Sequence, residues 1–257
     1  MIQIVIALAI VVFLFGVEIG SFLNVCIYRI PKHEDIVKTS SHCMTCGHKL
    51  SWLDLIPLFS YVGLRGRCRY CKTKLSVQYP VIEAVNGILY VIVLMVIGPS
   101  WEAILIAFMG SALLALSVID FRTYEIPVGF NVFIGVLGII YTILDYSNWM
   151  EHLIGLVSVS LFLTILFYAS KGRAIGGGDV KLMAACGLLV GWKLIVLGFL
   201  FGCILGSVIH VARMKISAKK GESIDHVLAM GPYLSAGVMI ATLWGEQIID
   251  WYIGCLL

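Results

Sequence analysis

The chain reads as an all-α polytopic membrane protein. About eight transmembrane helices are expected, with a small cytoplasmic four-Cys zinc domain between helices 1 and 2. Three observations predict this. The 257 residues are 60% hydrophobic and 13% charged, with a mean hydropathy of +1.00, whereas a soluble domain is about a quarter charged. Apolar runs of spanning length recur from one end of the chain to the other. Four of the eight cysteines fall as two Cys-x-x-Cys pairs in the one long polar segment.

Taken in order, the spans are expected at roughly 2–25, 80–98, 101–120, 127–145, 152–170, 179–192, 193–212 and 227–249. The first run has no basic stretch before it, and its charges follow it from Arg29. It therefore reads as an uncleaved helix with its N-terminus outside, not as a secretory signal. The sixth run has 14 residues, short of the ~20 a full span needs, so it is tilted out of the core or packed inside the bundle. With the N-terminus outside, the inner segments are 26–79, 121–126, 171–178 and 213–226. Counting Lys181 with them, 17 of the 18 Lys and Arg fall on that side and only Lys193 falls outside. Positive charge is retained on the cytoplasmic side of membrane proteins, so the asymmetry sets the orientation. The outer stretch Asp145–Glu151 has two acids and no base. The loop 213–226 is expected to be polar, basic and flexible, and no internal repeat stands out.

Cys43-x-x-Cys46 and Cys68-x-x-Cys71 are separated by 21 residues. Four thiolates so spaced surround one Zn2+ tetrahedrally, each pair on a tight turn. The reading is structural zinc; a redox dithiol or chance spacing is the alternative. Four Cys leave no open coordination position and the chain has no His-Glu-x-x-His helix, which argues against catalytic zinc. Cys26, Cys186, Cys203 and Cys255 lie in or beside apolar helices and read as small buried hydrophobes.

Two acids mark the chemistry. Asp120 ends the third apolar run, and Asp179 follows Gly176-Gly177-Gly178 at the start of the sixth. An ionisable residue at the mouth of a membrane helix is a functional candidate because its charge is costly there. Helix parity puts both at the same cytoplasmic depth. If they meet, the pair holds one proton between them, so one carboxylate activates water while the other donates to a carbonyl. The alternative is that each is a separate helix cap or pairs with Arg122 or Lys181. Glu83 starts the second helix on the same side and either lines the site or snorkels to water. Glu18 is expected to face another helix or a wet cavity. Gly198, Gly202 and Gly206 form a small-residue face that serves the bundle or a homo-oligomer equally. The six histidines form no ligand cluster, and His42 stands only beside Cys43.

Read together, Gly20-Ser21-Phe22-Leu23-Asn24-Val25-Cys26-Ile27-Tyr28-Arg29-Ile30-Pro31, the two Cys pairs, Tyr79-Pro80-Val81-Ile82-Glu83, Asp120 with Ile126-Pro127, and Gly176-Gly177-Gly178-Asp179-Val180-Lys181 resemble the bacterial type IV prepilin leader peptidases. The likeness covers nearly the whole chain in order. It implies a GxGD-class aspartic endopeptidase that cuts the basic leader of type IV prepilins and pseudopilins at the cytoplasmic face of the inner membrane. It also implies N-methylation of the new N-terminus with S-adenosylmethionine. The family's catalytic aspartates fall on Asp120 and Asp179, its loop glycines on Gly176 and Gly178 with Lys181 beyond, and its metal cysteines on Cys43, Cys46, Cys68 and Cys71. Glu83 and Gly87 match a stretch linked to the methyltransferase. The expected parts are then residues 1–28 as helix one, 29–79 as the zinc domain and 80–257 as a seven-helix peptidase domain. Many members carry Ile-Pro-Phe-Gly-Pro where this chain has Leu228-Ala229-Met230-Gly231-Pro232.

Three other functions compete. A peptidase without the methyltransferase fits the same aspartates. A transporter with functional carboxylates is opposed by the absence of discontinuous inverted repeats. A scaffold binding nucleic acid through the basic Cys segment is the third, although no nucleic acid partner is expected. The surrounding partner is membrane lipid.

Overall fold

The computed structural model describes residues 2–173, 175–220 and 228–256. Its helices are α1 (Ile2–Arg29), α2 (Phe59–Gly63), α3 (Gln78–Ile97), α4 (Trp101–Thr123), α5 (Val128–Leu144), α6 (Trp149–Ala169), α7 (Gly177–Val190), α8 (Trp192–Lys220) and α9 (Gly231–Leu256). Among the described residues there is no β-strand, only two isolated antiparallel bridges. Among the described residues, five segments are long and apolar enough to cross a membrane: Ile2–Lys32, Gln78–Ile97, Trp101–Thr123, Tyr146–Ala169 and Trp192–Ser217. The chain is an integral membrane protein. Its packing divides into two compact units, Met1–Ala115 and Leu116–Leu257.

In the first unit α1 and α3 pack antiparallel along small residues. A side chain at Gly20 would begin 2.7 Å from Glu83 Cα, and one at Gly16 would begin 3.0 Å from Gly87 Cα. Backbones this close favour van der Waals contact in an apolar medium, where exclusion of water drives nothing. The buried polar groups at the crossing are satisfied. Asn86 Nδ2 donates to Gly16 O at 2.7 Å, and Ser111 Oγ lies 2.9 Å from Asn86 Oδ1 and 3.0 Å from Tyr90 Oη. Ser111 therefore donates to the amide and accepts from the phenol. At the other end of α1, buried Arg29 donates to Asp35 O (3.2 Å), Thr39 O (2.7 Å) and Ser40 O (3.3 Å). It pins the chain leading into the Cys segment.

The second unit is built around α7. The 14 residues of α7 span about 21 Å at 1.5 Å each, less than the ~30 Å hydrocarbon layer. Of the two expected placements, it takes the one inside the bundle, against α5, α6, α8 and α9. Leu182, Met183 and Leu189 are fully buried, as are Leu116, Ile134, Leu163, Ile195 and Leu234 around them. Gly155 of α6 and Gly187 of α7 face each other so closely that a Cβ on either would overlap the other backbone. Gly191, at φ +82°, ends α7 in a conformation that L side chains rarely adopt and lets α8 start at the next residue.

The glycine face on α8 is used within the chain. A side chain at Gly198 would begin 2.9 Å from Val238 Cα, and one at Gly202 would begin 3.0 Å from Leu234 Cα. This stripe is the seat of α9. One expectation changes. Residues 213–220, read as flexible loop, continue α8, because Arg213-Met214-Lys215-Ile216-Ser217-Ala218-Lys219-Lys220 contains no breaker and basic residues suit a helix C-terminus. Residues 221–226 of that loop lie outside the described residues. Glu18 is exposed on α1, within electrostatic reach of Glu83 of α3.

Candidate active site and metal centre

Asp120 sits in the last turn of α4, which ends where Tyr124, at φ +57°, donates its amide to Asp120 O at 2.8 Å. Its carboxylate points to the start of α9, and Asp120 Oδ2 accepts the Gly231 amide at 2.9 Å. A side chain at Gly231 would begin 2.7 Å from that oxygen, so only glycine leaves room. Asp179 is the third residue of α7, and its carboxylate folds back to accept the amide of Gly176, the N-cap residue. This is the carboxylate half of a capping box. Each acid thus rests on a helix N-terminus, where free amides and the helix dipole favour negative charge.

Both aspartates are buried, 4% exposed for Asp120 and 9% for Asp179. They lie within electrostatic reach of each other. Gly178 packs on Ile126, with a hypothetical Cβ 3.0 Å from Ile126 Cβ, which ties the α7 start to the α5 start. The structure therefore brings Asp120, Asp179, Gly176 and Gly178 to one end of the second unit. Lys181 is exposed one turn into α7. A buried carboxylate pair of this kind can hold one proton, activate water with the ionised member and donate from the other.

The four cysteines converge. The Sγ atoms of Cys43, Cys46, Cys68 and Cys71 all lie within 4.8 Å of one another, and Cys43 Sγ and Cys71 Sγ are 3.8 Å apart. A tetrahedral S4 site with ~2.3 Å metal–sulfur bonds has sulfur–sulfur edges of about 3.8 Å, so the donor set fits a metal ion. The two knuckles are copies. Cys43 and Cys68 each receive the amide four residues on and donate to the carbonyl five residues on. His42 bridges Lys49 as Arg67 bridges Lys74. Gly47 (φ +69°) and Lys72 (φ +59°) hold the same left-handed position. The repeat is visible in retrospect as Cys-x-x-Cys-x-x-Lys-Leu at 43–50 and 68–75, too short and too diverged to register as a repeat.

The thiols are unequal. Amides of Cys46 and Thr45 pull Cys43 down, and the Thr73 hydroxyl and amide bring Cys71 down to about 6. Cys46 is drawn down by the His48 amide, but burial and the neighbouring Cys43 and Cys71 sulfurs push it up to about 11. Four thiolates this close repel one another, and a divalent metal supplies the charge that offsets this. Asp54 ties the knuckles together. It accepts from Ser51 N (3.1 Å) and Oγ (2.7 Å), and ion-pairs with Arg69 Nε at 2.6 Å.

Glu83 is 6% exposed. It accepts the Leu58 amide at 2.8 Å and a hydrogen bond from Ser21. It lines a cavity of about 430 Å3 within the first unit. Gly87, one turn along α3, sits at the α1 crossing against Val17 and Phe13. Cys26 and Cys186 are buried as expected, but Cys203 is half-buried and Cys255 exposed, because each sits on an outward face of its helix. Sequence reasoning did not single out Gly231, Asp54 or Arg29 as positioning groups. Gly231-Pro232 at a helix start was the available signal for the first; the other two act through contacts that no local pattern encodes.

The chain is similar along most of its length to proteins of one family. The description "Bacterial Peptidase A24 N-terminal domain" matches residues 14–97, and "Type IV leader peptidase family" matches residues 104–211. Among curated relatives, one from Pseudomonas putida is 32% identical over 91% of this chain and 89% of its own length. One from Bacillus subtilis (strain 168) is 30% identical over 95% and 97%, and one from Aeromonas salmonicida (strain A449) is 29% identical over 96% and 94%. Each bears the name "Prepilin leader peptidase/N-methyltransferase". No solved structure matches the chain.

Proposed function

Because the chain belongs to the Type IV leader peptidase family, we propose that it is a membrane aspartic endopeptidase and N-methyltransferase acting on type IV prepilins and pseudopilins. Asp120 and Asp179 are its catalytic dyad. Gly176 and Gly178 shape the active-site loop, with Lys181 beside it. The observation that carries this reading is the pair of buried carboxylates brought to one end of the second unit, each seated on the amide of a helix start. One takes a proton from water as it attacks the scissile carbonyl, and the other donates to the carbonyl oxygen.

The second activity uses S-adenosylmethionine, which supplies an electrophilic methyl group to the free amine left by cleavage. Zn2+ held by Cys43, Cys46, Cys68 and Cys71 is structural, since four thiolates close its coordination. Glu83 and Gly87 belong to the methyltransferase part, Glu83 at a cavity wall and Gly87 by allowing α1 to approach α3. The charge count supports eight spans in the bacterial inner membrane, N-terminus outside, with residues 29–79 and the aspartate loops facing the cytoplasm. Within the second unit the one outer base, Lys193, pairs with Glu151 of the outer loop at 3.2 Å, as that parity requires.

The test is mass spectrometry of a prepilin incubated with the reconstituted protein and S-adenosylmethionine. Wild type should remove the leader and add one methyl group to the product, while Asp120→Asn and Asp179→Asn, still inserted and folded, should leave the prepilin whole. Cleavage without the methyl group reduces the reading to a peptidase. Proton flux dependent on Asp179 without cleavage would replace it with a transporter.

A further inference from the structure

We infer that the cavity beneath the four-Cys cluster, closed by the end of α1 and the start of α3, is the binding site for the methyl donor, with Glu83 facing its sulfonium charge. The inference rests on the methylation proposed above and places it. The cavity measures about 430 Å3 and lies wholly within the first unit, a size in the range of sites for small organic ligands and cofactors. Its chemistry is that of a purine-bearing zwitterion with an extra positive charge.

Glu83 supplies the counter-charge. It is 6% exposed, and among the described residues no basic side chain ion-pairs with it; the ion pairs are Arg69–Asp54, His152–Asp145 and Lys193–Glu151. A buried carboxylate at a membrane boundary without a cation is costly, and a bound cation removes that cost. Leu58 is held at φ +60°, ψ −53°, a strained conformation for a branched residue, with its amide donating to Glu83 Oε2 at 2.8 Å. That bond fixes the carboxylate at the cavity wall. Tyr28 and Tyr79, also in the wall, stack with ring centroids 5.5 Å apart and planes 18° apart, a platform of the kind on which purines stack. The guanidinium of Arg29 is taken by three loop carbonyls, so Lys32 and Lys74 of the same wall are the cations for the donor's carboxylate. Cys43 and Cys68 form part of the boundary, so the four-Cys site adjoins this cavity.

The experiment measures binding to the zinc-loaded full-length protein in detergent, using S-adenosylmethionine and its neutral thioether S-adenosylhomocysteine as the two probes. Wild type should prefer the cation by at least about tenfold, and Glu83→Gln should lose that preference. Glutamine keeps an oxygen for the Leu58 amide, so the variant changes charge and not the fold. Ultraviolet cross-linking of labelled donor to the wild-type protein should mark peptides carrying Tyr28 or Tyr79. An unchanged preference in Glu83→Gln, or label confined to residues 116–256, overturns the inference. If wild type then still methylates cut prepilin, the proposed function stands and the donor binds elsewhere. If wild type neither binds donor nor methylates, both readings fall together.

Discussion

Gly231 controls the position of the Asp120 carboxylate, proposed above as catalytic, without chemistry of its own. Its amide hydrogen bonds to Asp120 Oδ2 at 2.9 Å, and a side chain there would begin 2.7 Å from the same oxygen. Gly231→Ala should push the carboxylate aside and lower the cleavage rate about a hundredfold, the usual cost of an ångström of misplacement, with insertion unchanged; a rate within twofold of wild type would show that the loop yields. Asp54 makes a prediction in pH. Burial opposes its charge, but hydrogen bonds from Arg69 and Ser51 and the Arg69 charge outweigh this and hold it at about 2, below the ~3.9 of an unfolded Asp. Its contribution is therefore complete above about pH 4 and is lost as pH falls toward 2. Arg69 is exposed to solvent, which screens the ion pair and keeps its contribution small. Amide exchange across residues 51–70 should be faster in Asp54→Asn at neutral pH, and the gap from wild type should close near pH 2. A gap that persists there would remove the ionised carboxylate from the account.

At the scale of the element, close approach of glycines decides which helices pair. The α6–α7 crossing has Gly155 and Gly187 with no room for a Cβ on either. Gly155→Ala should force the helices apart and cost about 1–3 kcal/mol, read as a lower thermal midpoint in detergent. Since α7 carries Asp179, cleavage should fall with it, and an unshifted midpoint would mean that α6 slides at no cost. The knuckles illustrate the opposite case. Their local hydrogen bonds repeat almost bond for bond across 25 residues of separation, from Cys43 to Cys68. The two copies converge because each places its sulfurs on one side of a tight turn, so a single ion can bind both.

For the whole molecule, sidedness is the testable property. Within the second unit the ends of helices sort by parity: Asp120 meets Gly231 and Ile126 meets Gly178 at one end, and Lys193 meets Glu151 at the other. If α9 spans outward, as the charge count predicts, exposed Cys255 near its C-terminal end faces the outside. A membrane-impermeant maleimide should label Cys255 in spheroplasts, with Cys255→Ser as the blank. Labelling only in inverted vesicles would reverse the orientation.

The sequence by itself determined the helix content, the order of the long helices to within a few residues at most ends, and the identity of the four cysteines and two aspartates as candidates. Those signals are local: an apolar run, a Cys-x-x-Cys turn, an acid beside glycines each carry their meaning within a few residues. Tertiary structure alone decided that Asp120 is seated by Gly231, 111 residues away, that the α8 glycines receive α9, that short α7 is the central helix, and that Glu83 stands over a cavity beside Tyr28 and Tyr79. These depend on which helix faces meet. In an apolar chain with nearly uniform hydrophobic surfaces, no periodic pattern marks the buried face, so backbone approach and the need to satisfy each buried polar group choose the partners.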